Sequence, residues 1–421
     1  MDSFILRGNV IHSPACGGMS FNEHSYLICL DGVCAGVFPE IPDEFRALPL
    51  TDYDDKLIIP GMVDLHLHAP QHPNLGLGMD LELLDWLNGF TFPTEAKFAD
   101  LSFAADAYGH FAKELMSGAT TRASIFGTIH PEATLLLMEL LENSGLHCNV
   151  GKVNMDQNSP DILCEESDKY SLSDTMSWLL RCDRFKNIKP ILTPRFAPSC
   201  SSELMGGLGK IATECGVPIQ SHLSENAAEI EWVASLHPDC PNYASVYKKF
   251  GLLTPNTIMA HCVRLTEDEV DIIRNSGTYI AHCPVSNTNI RSGIAPIRKY
   301  MNSGLNIGLG SDISGGHSLD MFDVMREALG ASKLYWCHVD ENLSPLQAGD
   351  VFRLATIGGG GFFGKVGCFD AGYELDAIII DDSRFLYTNT YSLVERFERM
   401  IYLCSSGNVN AKYVAGNQIA I

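Results

Sequence analysis

From residue 62 to residue 336 the chain repeats one pattern eight times: a short aliphatic or β-branched run, then a longer stretch with helical spacing. The short runs fall at 62–65, 119–125, 147–153, 190–193, 217–222, 257–261, 278–282 and 305–310. Helical patterning fills the gaps at 81–117, with a break expected at Phe92-Pro93, and at 131–143, 172–185, 202–215, 225–236, 267–276, 294–303 and 319–336. Strands that alternate with helices pair in parallel, because each helix carries the chain back across the sheet. Eight such units over about 300 residues predict a (β/α)8 TIM barrel. The two ends read differently, as short strands joined by turns at 4–10, 23–30, 33–38 and 56–59, and again at 376–381 and 409–421. The economical arrangement for 421 residues is a catalytic barrel over 60–365 and a small composite β domain built from 1–59 and 366–421.

A barrel of this kind gathers reactive side chains at the C-terminal ends of its strands. His66 and His68 close the first expected strand, two residues apart and so on one side of it. An H-x-H pair alone is a weak signal, which two core histidines explain equally well. Here His222, His261 and Asp312 also stand at or just past strand ends, which places five metal-capable groups on one rim. Imidazoles with a carboxylate suit Zn2+ or Fe2+ rather than the oxygen-loving Mg2+ or Ca2+. Such an ion lowers the pKa of a bound water towards ~7 and so makes hydroxide at neutral pH. Glu225, three residues after His222 and at the expected start of a helix, is placed to move a proton. Without that neighbour it would read as a first-turn glutamate favoured by the helix dipole.

Composition narrows the function further. Twenty-nine Lys and Arg against 51 Asp and Glu give a net charge of −22, which repels phosphate backbones and anionic lipid. No nucleic-acid or membrane partner is expected. No apolar run approaches the ~18 residues of a membrane span, and the first residues lack the pattern of a secretory signal. Fourteen scattered cysteines with no C-x-x-C clip read as thiols in a reducing cytoplasm.

The segments PGMVDLHLHAP (60–70), QSHLSE (220–225), AHC (260–262), HCPVSN (282–287) and GLGSD (308–312) together resemble the amidohydrolase superfamily. Pro70-Gln71, Leu84-Asp85-Trp86-Leu87-Asn88, Thr91-Phe92-Pro93-Thr94-Glu95 and Arg195-Phe196 are similar, more narrowly, to its guanine-deaminating members. The resemblance covers nearly the whole chain and implies a set of roles. His66, His68, His222 and Asp312 match the ligands of one zinc ion per subunit, although such a set accepts Fe2+ as well. Glu225 matches the proton shuttle, His261 the histidine that steadies the attacking water, and Asp312 a base towards it. Gln71, Trp86, Leu87, Arg195 and Phe196, with Glu225 and Asp312, match positions that contact the purine. The implied reaction is hydrolytic deamination of guanine to xanthine and ammonia, in a cytoplasmic homodimer. Binuclear relatives carry a bridging lysine at the end of the fourth strand. Here Ile191-Leu192-Thr193-Pro194-Arg195 has none, which favours a single metal.

Other readings stay open on the sequence. A mononuclear deaminase of cytosine, a triazine or a modified adenine would share the metal motifs, and a non-catalytic interaction protein would share the fold. His130-Pro131-Glu132 fits half of a small zinc-deaminase signature whose P-C-x-x-C half is missing, so it is read as a helix start. The run 359–365, GGGFFGK, mimics a phosphate loop, but Val366 stands where Ser or Thr is needed. It is read as a tight return towards the small domain. His72, His282, His317 and Glu95 lie near the expected site without an assigned role.

Overall fold

The computed structural model describes residues 3–386 and 388–421. Strands β1 (Phe4–His12), β2 (Ser20–Leu30), β3 (Val33–Phe38) and β4 (Leu50–Pro60) open the chain. The barrel follows with β5 (Met62–His68), β6 (Thr120–Phe126), β7 (His147–Gly151), β8 (Val153–Asn154), β9 (Ile188–Pro190) and β10 (Thr193–Pro194). It continues with β11 (Ile219–Leu223), β12 (Thr257–His261), β13 (Tyr279–His282) and β14 (Asn306–Leu309). Strands β15 (Ala377–Ile380), β16 (Val409–Val414) and β17 (Asn417–Ile419) end the described chain.

Two four-stranded parallel sheets, β5-β6-β7-β9 and β11-β12-β13-β14, form the barrel wall. One seam closes through Leu192, whose N–H donates to Pro218 O at 2.8 Å and whose carbonyl accepts from Gln220 N at 2.9 Å. The other closes beyond β14, where Asp312 N donates to His66 O at 2.8 Å and His68 N to Ile313 O at 2.9 Å. The fourth strand position is split into β9 and β10, each ending in a proline that has no N–H for the ladder. Every residue of β5 and β6 is buried, as expected of strands covered on both faces.

The surrounding helices follow the 3.6-residue rule. The helix Leu101–Ser117 buries Ala104, Ala107, Tyr108, Phe111, Ala112 and Leu115, one inward stripe, and Asp100 caps it through Ser102 N at 2.8 Å. The expected break at Phe92-Pro93 is not there. Leu87–Thr91 forms a wide π turn that runs directly into Phe92–Glu95, and the chain turns only at Asp100. Pro93 sits near the start of its own helical turn, where a missing N–H costs little. Helices at Tyr243–Lys249, Ala348–Arg353 and Leu393–Leu403 lie outside the pattern read from sequence.

Strands from both ends join in one seven-stranded sheet, ordered β17-β16-β15-β4-β1-β2-β3. Buried polar groups tie this sheet to the barrel. Arg122 on β6 donates to both oxygens of Asp376, just before β15, at 2.8 and 3.0 Å. Lys412 on β16 donates to Met116 O at 2.7 Å and Thr120 O at 2.9 Å. The glycine run at 358–361 packs against the barrel strands at 63–65 and 307–308. A Cβ on Gly308 would stand 2.8 Å from Gly359 Cα, so these two backbones approach only as glycines. Close packing, not phosphate, accounts for that run. Among the described residues no helix is long and apolar enough to cross a membrane, and no disulfide forms.

Candidate active site

The C-terminal rim of the barrel brings His66, His68, His222, His261 and Asp312 together, all at most slightly exposed. His66 and His68 share one side of β5, and their rings stand edge to face with centroids 4.9 Å apart. His66 Nε2 lies 3.1 Å from Asp312 Oδ1, and His68 Nε2 lies 3.5 Å from the same oxygen. His68 Nε2 and His222 Nε2 face each other at 3.1 Å. The other nitrogen of His222, Nδ1, donates to the Arg195 carbonyl at 2.6 Å. A carbonyl only accepts, so this contact puts the His222 proton on Nδ1 and turns a lone pair on Nε2 towards the cluster. His261 is held likewise, its Nδ1 on Asn287 Oδ1 at 3.0 Å while Nε2 faces Glu225 Oε2 at 3.4 Å and Asp312 Oδ2 at 3.7 Å.

Backbone strain marks the same place. Ser224, His261, Cys262 and Asp312 have φ of +51°, +69°, +50° and +49°, four of the ten described non-glycine residues with positive φ. Such conformations persist only where surrounding structure enforces them, and they cluster at functional sites.

Electrostatics gives each group a distinct state. Burial, with the neighbouring imidazoles, holds His68 and His222 well below the usual histidine range. Burial also lowers His66, against the pull of Asp312. Burial works to raise Asp312, but the imidazoles of His66, His261 and His68 outweigh it and keep this carboxylate ionised. Burial pushes Glu225 up to about 7, eased by His261. For His261 the carboxylates of Glu225 and Asp312 outweigh burial and raise it.

This donor set fits a divalent cation. The ligand atoms of His66, His68 and Asp312 lie within 4.8 Å of one another, as do those of His66, His222 and His261. His66 Nε2 is buried beside Asp312 Oδ1 at 3.1 Å without the alignment of a hydrogen bond. His68 Nε2 and His222 Nε2, facing at 3.1 Å, share a proton as they stand and can both turn lone pairs to a cation placed between them.

A cavity lined by both polar and apolar side chains opens onto the cluster. Gln71, Trp86, Leu87, Arg195, Phe196, Glu225 and Asp312 all line it, with Leu83, Ile290 and Glu229. Trp86 is anchored by its indole N–H on Leu77 O at 3.0 Å. Glu225 is not in the first helical turn. It precedes Asn226, the cap of Ala227–Leu236, and its own N–H donates to Glu229 Oε2 at 2.9 Å. Ser292 donates its hydroxyl to Glu225 Oε1 at 3.0 Å.

Sequence reasoning left Glu95 without a role, and the structure buries it where it holds two of the lining side chains, Arg195 and Gln71. Its carboxylate accepts Arg195 Nη1 and Nη2 at 2.6 and 3.0 Å, and Gln71 Nε2 at 3.0 Å. Asn287 and Ser292 were likewise not singled out. The HCPVSN segment was the only signal for Asn287, and nothing flagged Ser292. His72 instead pairs with Glu114 at 2.8 Å away from the cavity, His317 is exposed beside Asn289, and His282 is buried near His261 without reaching the cavity. His130 precedes the helix Pro131–Ser144.

Residues 57–419 match the amidohydrolase family model. A guanine deaminase of Dictyostelium discoideum is 42% identical, with 99% of this chain and 98% of that protein covered. A guanine deaminase of Homo sapiens is 37% identical over 90% of this chain and 85% of its own. A crystal structure of guanine deaminase from C. acetobutylicum, with guanine bound in the active site, superposes with a TM-score of 0.96 at 45% identity, covering all of both chains. The chain belongs to the amidohydrolase family.

Proposed function

We propose that this protein is a guanine deaminase, hydrolysing guanine to xanthine and ammonia. The observation that carries the reading is one cavity in which a metal-capable cluster, a near-neutral carboxyl and a hydrogen-bonding fork face each other. Full-length similarity to a structure whose pocket holds guanine supports it.

His66, His68, His222 and Asp312 would hold one divalent cation, zinc in this reading, with Fe2+ suited to the same ligands. Bound there, the ion would supply Lewis acidity that makes water nucleophilic at neutral pH. The chain's own groups do the rest. Arg195 and Gln71 donate to acceptors on the ring, while Phe196, Trp86 and Leu87 wall its faces and edges and keep out bulk water. Glu225, near neutrality, passes the attacking water's first proton to the ring nitrogen, then carries the added hydroxyl's proton to the amine as the new carbonyl forms. Ser292 holds that carboxyl in place. His261, made more basic by Glu225 and Asp312, steadies the negative charge that develops as water adds. Asp312 stays ionised and accepts from the attacking water. The C–N bond to the amine then breaks, and ammonia leaves.

Two further parts belong to this reading: a division into a barrel over 60–365 and a small domain from 1–59 and 366–421, and a cytoplasmic homodimer. Domain-by-domain expression, light scattering and cell fractionation test them. The activity itself is tested by incubating metal-loaded protein with guanine and following its absorbance and ammonia release. Turnover of guanine ahead of cytosine, a triazine and modified adenines is expected, and no guanine turnover refutes the proposal.

A further inference from the structure

Glu95 takes no part in the chemistry above, yet it is 1% exposed and holds both side chains expected to meet the ring. Oε2 accepts Arg195 Nη1, and Oε1 accepts Arg195 Nη2 together with Gln71 Nε2. Gln71 is fixed from its other end as well, because Ser314 N donates to its Oε1 at 3.2 Å. The Gln71 amide therefore cannot flip without breaking both contacts. The guanidinium is further held with Cζ 5.0 Å from the Phe92 ring centroid, and Phe92 comes from the same short segment as Glu95. An arginine carries five N–H groups. Glu95 engages two of them, and Arg195 and Gln71 both line the cavity while keeping N–H groups that Glu95 does not take. The carboxylate also cancels the guanidinium's charge, so this wall presents donors without net charge.

We infer that Glu95 is a positioning residue that sets Arg195 and Gln71 as a fork reading a carbonyl on a neutral purine, and thereby sets specificity. The inference rests on the purine reading of the cavity. A Glu95→Gln side chain would turn an N–H towards Arg195 or Gln71, both donors, and leave the guanidinium uncompensated. The fork would then lose its orientation.

The test is a comparison of two ligands that carry no amine to hydrolyse: hypoxanthine, which has the ring carbonyl, and purine, which lacks it. Their Kd values are measured by calorimetry on the purified metal-loaded protein and on E95Q and E95D. Charge-assisted hydrogen bonds predict that the native protein prefers hypoxanthine by roughly 10- to 150-fold. In E95Q that preference should fall to less than about 5-fold. E95D keeps the charge with a shorter reach and should lie between them. A merely structural role would weaken both ligands alike and leave the ratio where it was. An unchanged ratio in E95Q, or no preference in the native protein, overturns the inference. If E95Q fails to fold by circular dichroism, the ratio in E95D decides, and a native ratio there also overturns it. Guanine turnover by the native protein is scored separately, so its absence sinks the deaminase reading and is not confused with a failure of the Glu95 fork.

Discussion

Lys412 offers a prediction whose sign and size both follow from its surroundings. It is fully buried where β16 meets the barrel, and among the described residues its ammonium has two acceptors, Met116 O and Thr120 O. A neutral amine has two N–H groups to give, whereas the charged form has three and leaves one unmatched. Burial accordingly lowers its pKa from 10.5 to about 7. In the unfolded chain the amine keeps its ordinary value, so between about pH 7 and 10.5 the unfolded state binds more protons. Stability must then rise with pH across that window. Below pH 7 both states are charged and the full penalty applies, about 5 kcal/mol at ~1.4 kcal/mol per pH unit. By pH 9 about 3 kcal/mol of it has been relieved. With an unfolding entropy near ~2.1 cal/mol/K per residue, that corresponds to a rise of about 3 °C in Tm. Many other groups titrate too, so the measurement is the difference in Tm between native protein and Lys412→Met at one scan rate, from pH 6 to pH 9. The variant leaves two carbonyls without donors but escapes the burial penalty, so the predicted quantity is the change: native Tm minus variant Tm should rise by about 3 °C from pH 6 to pH 9. A gap constant to within about 1 °C would refute the reasoning.

Glu225→Gln should retain metal and melting temperature while ammonia release from guanine falls by ~10²–10⁴, the usual worth of a positioned proton transfer; near-native turnover would remove Glu225 from that role. Dialysis against a strong chelator should abolish deamination, and added zinc should restore it together with about one ion per chain by plasma emission; activity that survives complete metal removal would contradict the ligand assignment. Gly151→Ala should cost about 1–3 kcal/mol in urea unfolding, because its methyl would run into Thr193 Oγ1 and the Ile191 carbonyl at the third-to-fourth strand step. Asp376→Asn should cost about 2–3 kcal/mol by the same measurement, since the buried Arg122 guanidinium is left with the more exposed Glu374 as its charged partner.

Much of this architecture is legible in the residues alone, because strand burial imprints aliphatic runs and a barrel requires eight of them. The run at 257–261 matches Thr257–His261 in full, and the H-x-H pair falls at the end of β5 as its two-residue period requires. Where reading failed, a local rule had been overridden by its neighbours. Pro93 looks like a helix breaker until the π turn before it is known. Glu225 looks like a first-turn residue, but Asn226 takes the cap and moves Glu225 into the cavity. Glu95 and Asn287 end family-like segments that name no role for them, and Ser292 lies in none. Each acts by holding another side chain, and a contact across 100 residues, such as Arg195 to Glu95, leaves no mark in sequence spacing.

The sheet that joins both ends of the chain also has a consequence in time. While the protein is being made, the Leu57–Pro60 edge of β4 emerges early, but its antiparallel neighbour Ala377–Ile380 is translated roughly 300 residues later. At ~5–20 residues per second that edge waits about 15–60 s with unsatisfied backbone groups. During this interval the nascent chain presents an open strand to any other chain nearby, a hazard that ends only when Ala377–Ile380 has emerged to cover it.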